Sequence, residues 1–233
     1  MVQKTGLDRY GRYSVRSLGE AWLLSIYLTL SNGEWILDGD TPLREFRLLH
    51  VVIDAIDDDD PVITRLADHN RILLMRRKYG SCGIVPPYKI SYGKLLYDNE
   101  GVDQVSWLVE RLRAKGETKA ATITLHRPGE TELSCLSLLD CKLRNGALDM
   151  LALYRSQNVF ASQPGNLLAL RNLQCHIAKE VGATVGLFAL YAASAHVYEK
   201  DIEQARQVLH LGSSLAPILG FTDQQLESEL PQI

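Results

Sequence analysis

The stretch Leu133-Ser-Cys-Leu-Ser-Leu-Leu-Asp-Cys-Lys-Leu-Arg144, followed by Asn145-Gly146 and then Ala147-Leu-Asp-Met-Leu-Ala-Leu-Tyr-Arg-Ser156, decides the fold. Asn-Gly between two apolar runs is a strong hairpin signal, because both central residues of a type I′ turn need positive φ. If Arg144 pairs with Ala147, counting outward sets Cys135 opposite Ser156. Arg155 is then one step away and, in a regular strand, points to the other face. A bulge or a neighbouring strand must bring its guanidinium round to the thiol. A cation close to a thiol favours the thiolate, which is the nucleophilic form. The hairpin thus predicts a Cys, an Arg and a Ser within one small region.

Working outward, Ser17-Leu-Gly-Glu20 is a capping box ahead of an apolar run, so a helix is expected to about Ser31, with Gly33 near its end. Arg47 to Ile56 is rich in Leu, Val and Ile and reads as a strand. The four acids Asp57 to Asp60 before Pro61 read as a solvated turn; no second ligand cluster supports a metal, and none is expected. Residues 79–93 are rich in Gly, Pro and Tyr and read as irregular. Val102 to Lys115 has helical apolar spacing, and Lys119 to Leu125 reads as a short strand. Pro164-Gly-Asn166 opens a helix that reaches Val181 and stops at Gly182. Thr184 to Tyr198 reads as a buried strand, and Asp201 to His210 as a terminal helix. Strands and helices interleave without a strict βαβ rhythm. The expectation is an α+β fold with a large mixed sheet covered by helices, in one domain over residues 1–233.

Composition narrows the function classes. The net charge of −3 gives no basic field, so nucleic acid is not expected as a partner. No uninterrupted apolar run reaches about 18 residues, so no membrane span is expected. Met1-Val-Gln-Lys-Thr-Gly does not read as a signal peptide, and a cytoplasmic location is expected. Cys82, Cys135, Cys141 and Cys175 form no CxxC pair, which argues against zinc ribbons and thioredoxin-type chemistry. They are expected as free thiols, with Cys82, Cys141 and Cys175 serving as small apolar side chains.

Cys135, Arg155-Ser156, Val159-Phe160, Pro164, Asn166 and His196-Val197-Tyr198 together resemble the core of the thymidylate synthase family, over roughly residues 90 to 200. The resemblance implies a fold with helices on one side of the sheet and a homodimer through the other. It implies Cys135 as nucleophile, Arg155 and Ser156 on the nucleotide phosphate, Asn166 on the pyrimidine, and His196 and Tyr198 on the sugar. The residue types suit these tasks. Arg donates two bonds at once to phosphate. Asn carries both a donor and an acceptor, which can match the O4/N3 edge of uracil, although Asn166 also stands where a helix starts and can cap it. His196 and Tyr198 are two apart on a strand and share a face.

Tyr92-Gly93 resembles a Tyr-Gly motif near the family's active site. Lys119 stands in the segment where the family carries paired arginines that reach the partner's phosphate. Asn158 stands where the family has an Asp that contacts folate. Glu45 and Asp54 are the nearest acids to the family's catalytic Glu. The implied activity is transfer of a one-carbon unit from 5,10-methylenetetrahydrofolate to C5 of a pyrimidine nucleotide, as in thymidylate synthase. A cytidylate- or uridylate-type hydroxymethylase, a folate-independent Michael addition at Cys135, and a catalytically silent nucleotide-binding protein are the alternatives.

Overall fold

The structure is a computed structural model and describes residues 12–54, 60–127 and 129–213. Strand β1 (Arg12–Val15) leads into helix α1 (Leu18–Asn32). Ser17 Oγ accepts from the Glu20 N–H at 3.2 Å, and the Glu20 carboxylate reaches back to the Arg16 N–H at 2.6 Å. Reciprocal capping of this kind satisfies donors that a helix start leaves orphaned. Every residue of α1 from Leu18 to Leu30 is buried, so its polar members bond inward: Ser25 and Thr29 each donate to a carbonyl one turn back.

Strands β2 (Glu34–Asp38) and β3 (Thr41–Ile53) form a hairpin that turns at Gly39, whose φ is +62°. The β3 strand begins six residues earlier than its apolar content suggests, because pairing with β2 carries the mixed stretch Thr41–Glu45 into the sheet. Asp57 to Asp59 of the acidic run lie outside the described residues. Asp60 is not solvated. It is 2% exposed and caps helix α2 (Pro61–Leu66), accepting from Val62 and Ile63, while its second oxygen accepts from Gly19 N–H at 2.7 Å. Helix α3 (His69–Gly80) takes Tyr79 and Gly80 out of the stretch read as irregular, and α4 (Tyr92–Tyr97) takes its last two residues. Helix α5 (Gln104–Ala114) and strand β4 (Thr122–Thr124) follow.

Strands β5 (Leu136–Arg144) and β6 (Ala147–Tyr154) are joined by Asn145 and Gly146 at φ +51° and +77°, with Arg144 paired to Ala147 as the turn chemistry requires. The short β7 (Gln157–Asn158), helix α6 (Gln163–Glu180), the long strand β8 (Thr184–Tyr198) and helix α7 (Ile202–Ser213) complete the described residues, with a 3-10 turn at Glu199–Asp201. The sheet order is β1-β3-β8-β6-β5-β4, with β2 on β3 and β7 on β8. Central β8 runs antiparallel to β3 but parallel to β6 and β7, so the sheet is mixed, and α6 makes the crossover that a parallel pair needs.

Side chains alternate across it. Leu139, Ala152, Leu190 and Val51 form one fully buried row, on the face that carries α1 and α6. In the neighbouring row Leu138, Leu153, Tyr191 and His50 are only half-buried. The α3 helix meets the start of α6 very closely: a Cβ added at Gly165 would fall 2.6 Å from Met75 Cβ.

Candidate active site

The hairpin register is regular from Arg144/Ala147 to Leu138/Leu153 and then slips, so that Leu136 faces Tyr154. One extra residue in β5 is a bulge, and it moves the pairing by one step. Cys135 therefore lies across from Arg155, not Ser156: the Arg155 N–H donates to the Cys135 carbonyl at 2.9 Å. The bulge that the facing argument requires is present. The guanidinium then folds back along the segment before the cysteine, donating from Nε to the Ser134 carbonyl (3.0 Å) and from Nη2 to the Leu133 carbonyl (2.8 Å).

Beyond β6, the chain runs beside the end of β8. There β7 pairs Asn158 with His196, and β3 pairs Glu45 with the same histidine. His196 Nδ1 lies 3.4 Å from Ser156 Oγ, and its ring meets that of Tyr198 edge-on at 5.1 Å. Burial lowers the His196 pKa, and Arg155 adds to the effect; the bond with the Ser194 backbone and the charges of Asp38 and Glu45 oppose it. Arg155, Ser156, His196 and Tyr198 are thus brought together. Asn166 sits in the first turn of α6, 4% exposed, with no hydrogen-bond partner for its Oδ1 among the described residues. It is not the helix cap, which is Ser162. Asn158 spends its Oδ1 on the Ala161 N–H at 2.8 Å.

Aromatic rings gather beside the Cys135 segment. Tyr92 Oη accepts from the Leu136 N–H (3.3 Å), one residue from Cys135. The Tyr79 and Tyr154 hydroxyls share a buried hydrogen bond of 2.6 Å. Burial holds all three hydroxyls well above the usual tyrosine range, so they stay neutral. Lys78 is buried among them, its Nζ 3.7 Å from the centre of the Tyr88 ring and 4.1 Å from that of Tyr92. A thymidylate synthase family model matches residues 34–230, which takes in every one of these side chains.

The chain belongs to the thymidylate synthase family. It is 36% identical over 126 residues to a protein of Methanothermobacter marburgensis, covering 52% of this chain and 56% of that protein. Over a longer span it is 28% identical across 205 residues to a protein of Methanosarcina acetivorans, covering 83% and 92%. Both carry the name "Putative thymidylate synthase". The family is one of transferases.

One residue singled out in the sequence stands apart from Cys135 within the chain. Lys119 is exposed ahead of β4, and the pairing of Thr122 with Asp140 carries it toward the turn end of the hairpin. Glu45 is half-buried against His196. Lys78, Tyr79, Tyr88 and Tyr154 were not legible as site residues. Three of them lie in or beside the Gly/Pro-rich stretch read as irregular, and the signal available was the unusual density of Tyr around one Lys. Among the described residues no group of three or more His, Cys, Asp or Glu side chains could hold a metal, and no helix is long and apolar enough to cross a membrane.

Proposed function

We propose that this protein transfers a one-carbon unit to C5 of a pyrimidine nucleotide through covalent addition of Cys135. C5 is a weak nucleophile. When the Cys135 sulfur bonds to C6, the electron pair of the C5–C6 double bond moves toward C5 and O4, and C5 becomes able to attack an electrophilic carbon. Loss of the C5 proton would expel the donor's nitrogen and leave an exocyclic methylene; a hydride from the folate would then make a methyl group, or water a hydroxymethyl group, and departure of the Cys135 thiolate restores the ring. Arg155 and Ser156 hold the phosphate. Two of the five guanidinium N–H groups are engaged with carbonyls, which leaves the rest free for phosphate oxygens. His196 and Tyr198 contact the sugar, Tyr92 holds the nucleophile's segment, Glu45 acts on the substrate through His196, and Lys119 reaches the phosphate of a partner subunit.

The observation that carries this reading is the orphaned Asn166 Oδ1. A buried acceptor without a partner costs about 1–3 kcal/mol, and the N3–H of a uracil ring is a donor that would satisfy it. The half-buried apolar row of Leu138, Leu153 and Tyr191 supports a homodimer through the open sheet face.

One observation favours the reading without folate. The family's usual donor is 5,10-methylenetetrahydrofolate, and Asn158 occupies the position that would accept from it. That oxygen already serves the Ala161 N–H, which leaves it one lone pair, and the amide lacks the charge of a carboxylate, so its hold on a folate donor is the weaker one. Incubating the protein with dUMP, dCMP, UMP and CMP, each with and without 5,10-methylenetetrahydrofolate, and weighing the products by mass spectrometry, tests both readings. A 5-methyl uridylate formed only with the folate supports thymidylate synthase activity; a 5-hydroxymethyl product supports hydroxymethylation. An unchanged nucleotide in every mixture, with no Cys135 adduct to a 5-fluoropyrimidine nucleotide, refutes covalent nucleotide chemistry.

A further inference from the structure

We propose that His126 is a positioning residue for the nucleotide phosphate: its imidazole fixes the Ser134 carbonyl on which the Arg155 guanidinium is braced, and so aims that guanidinium at its ligand. The inference rests on Arg155 being the phosphate's partner, and it goes beyond that reading in naming what holds the arginine still. The Ser134 carbonyl receives two donors, Arg155 Nε at 3.0 Å and His126 Nε2 at 2.8 Å. A carbonyl oxygen has two lone pairs and can only accept. Both pairs are therefore used, and Nε2 is a ring nitrogen that carries a proton.

Arg155 gains from such a brace. Its Nε and Nη2, one edge of the planar fork, donate to the carbonyls of Ser134 and Leu133. The end of the fork, Nη1 with the second Nη2 hydrogen, is left as a parallel pair of donors, the arrangement that takes two phosphate oxygens at once. The two carbonyls set the direction of that pair. Leu133 is exposed, whereas Ser134 is buried, so the firmer of the two supports is the Ser134 carbonyl. If the peptide plane between Ser134 and Cys135 turned, that oxygen would turn with it and the fork would swing. The bond from His126 opposes this rotation.

His126 can do so because its own backbone is fixed on both sides. The Leu125 N–H donates to the Ser137 carbonyl at 2.9 Å, which extends the pairing of β4 with β5 as far as the bulge. Arg127 gives its Nε and Nη2 to Asn99 Oδ1 at 3.2 and 2.8 Å. The ring between these anchors is half-buried. It meets a segment whose other bonds also come from distant parts of the chain: the Cys135 carbonyl takes the Arg155 N–H, and the Leu136 N–H goes to Tyr92 Oη. His126 thus ties the residue before the nucleophile to a frame that neither Arg155 nor Tyr92 supplies. A group whose own surroundings are rigid holds its partner to a narrower range of angles, which is what a bidentate contact requires.

The test reads the phosphate apart from the rest of the nucleotide. The full-length protein is titrated by calorimetry with dUMP, dCMP, UMP and CMP, and the tightest of these is compared with its nucleoside. The ratio of the two Kd values measures what the phosphate adds. His126→Phe fills the space without a donor and is expected to lower this ratio about fivefold, as loss of one hydrogen bond should, with nucleoside affinity unchanged. The amide nitrogen of Gln stands as many bonds from Cα as Nε2 does, whereas that of Asn stands only as far as Nδ1. His126→Gln should therefore keep the wild-type ratio and His126→Asn should lose it. Circular dichroism establishes that each variant is folded. Arg155→Ala separates the two readings. If it loses the phosphate's contribution and folded His126→Phe does not, the inference about His126 is overturned and the role of Arg155 stands. If Arg155→Ala keeps the wild-type ratio, or no nucleotide binds better than its nucleoside, the phosphate role of Arg155 fails and the inference falls with it. A ratio lowered equally in His126→Gln and His126→Phe also overturns it, because the effect is then one of packing. If His126→Phe does not fold, the other two variants decide, with a wild-type ratio in His126→Gln and a lowered one in His126→Asn supporting the inference and equal ratios refuting it.

Discussion

Replacing Asp60 by Ala removes one carboxylate that joins two helix starts. Its Oδ1 accepts from the Val62 and Ile63 N–H groups at 2.9 and 3.3 Å, and its Oδ2 accepts from the Gly19 N–H at 2.7 Å. At 2% exposure water cannot replace these bonds without moving the backbone. Loss of an N-cap costs ~0.5–2 kcal/mol, and loss of a bond to a buried charged group costs ~1.5–3 kcal/mol. The expected total is therefore ~2–5 kcal/mol, a large share of the ~5–15 kcal/mol that holds most proteins folded. With a urea slope of ~2 kcal/mol/M, the midpoint should fall by ~1–2.5 M. Asp60→Asn separates the two roles. An amide keeps one carbonyl oxygen, so it can serve Gly19 or the α2 cap but not both, and its loss should be about half. Urea unfolding followed by circular dichroism at fixed protein concentration reads both. A midpoint shift under ~0.5 M for Asp60→Ala, or equal shifts for the two variants, would refute the reasoning.

Three further outcomes are expected. Tyr154→Phe strands the Tyr79 hydroxyl at the 2.6 Å bond, at a cost of ~1–3 kcal/mol, whereas the Tyr79→Phe/Tyr154→Phe double variant recovers some of it; strict additivity in a double-mutant cycle contradicts this. Since burial lowers the His196 pKa below its unfolded value, the neutral ring's contribution is present above about pH 6.5 and is lost as pH falls through the folded pKa. The stability gap between wild type and His196→Gln should thus narrow from pH 8 to pH 5, and a constant gap in urea midpoints rules it out. Light scattering should show a dimer for wild type and a monomer for Leu153→Glu; a wild-type monomer at micromolar concentration removes the sheet-face interface.

Local chemistry was legible where it acts alone. The Asn145-Gly146 turn fixed its own φ values and the first pair of the hairpin, and the capping residues of α1 announced its start. The β8 span could be read directly, because its fifteen residues form a nearly unbroken apolar run. The bulge at Ser137 carries no Gly or other local signal in the sequence, and it shows only in the register of β5 against β6. Asp60 misled for a similar reason. Four acids in a row look solvated, and only the distant Gly19 N–H makes one of them buried. Lys78 was hidden because a lysine in a helix reads as surface until the rings that cover it, ten and fourteen residues on, are placed in space.

The contact between Gly165 and Met75 has a bearing on tolerance. Met75 lies on α3 and Asn166 follows Gly165 in α6, so the separation of these two helices is set where a side chain is missing. A single methyl there acts as a shim. It would push the helices apart by a fraction of an ångström while leaving every polar side chain intact. The spacing of α3 from α6 is thus written in a residue that has no side chain, and altering it calls for changes in that seam.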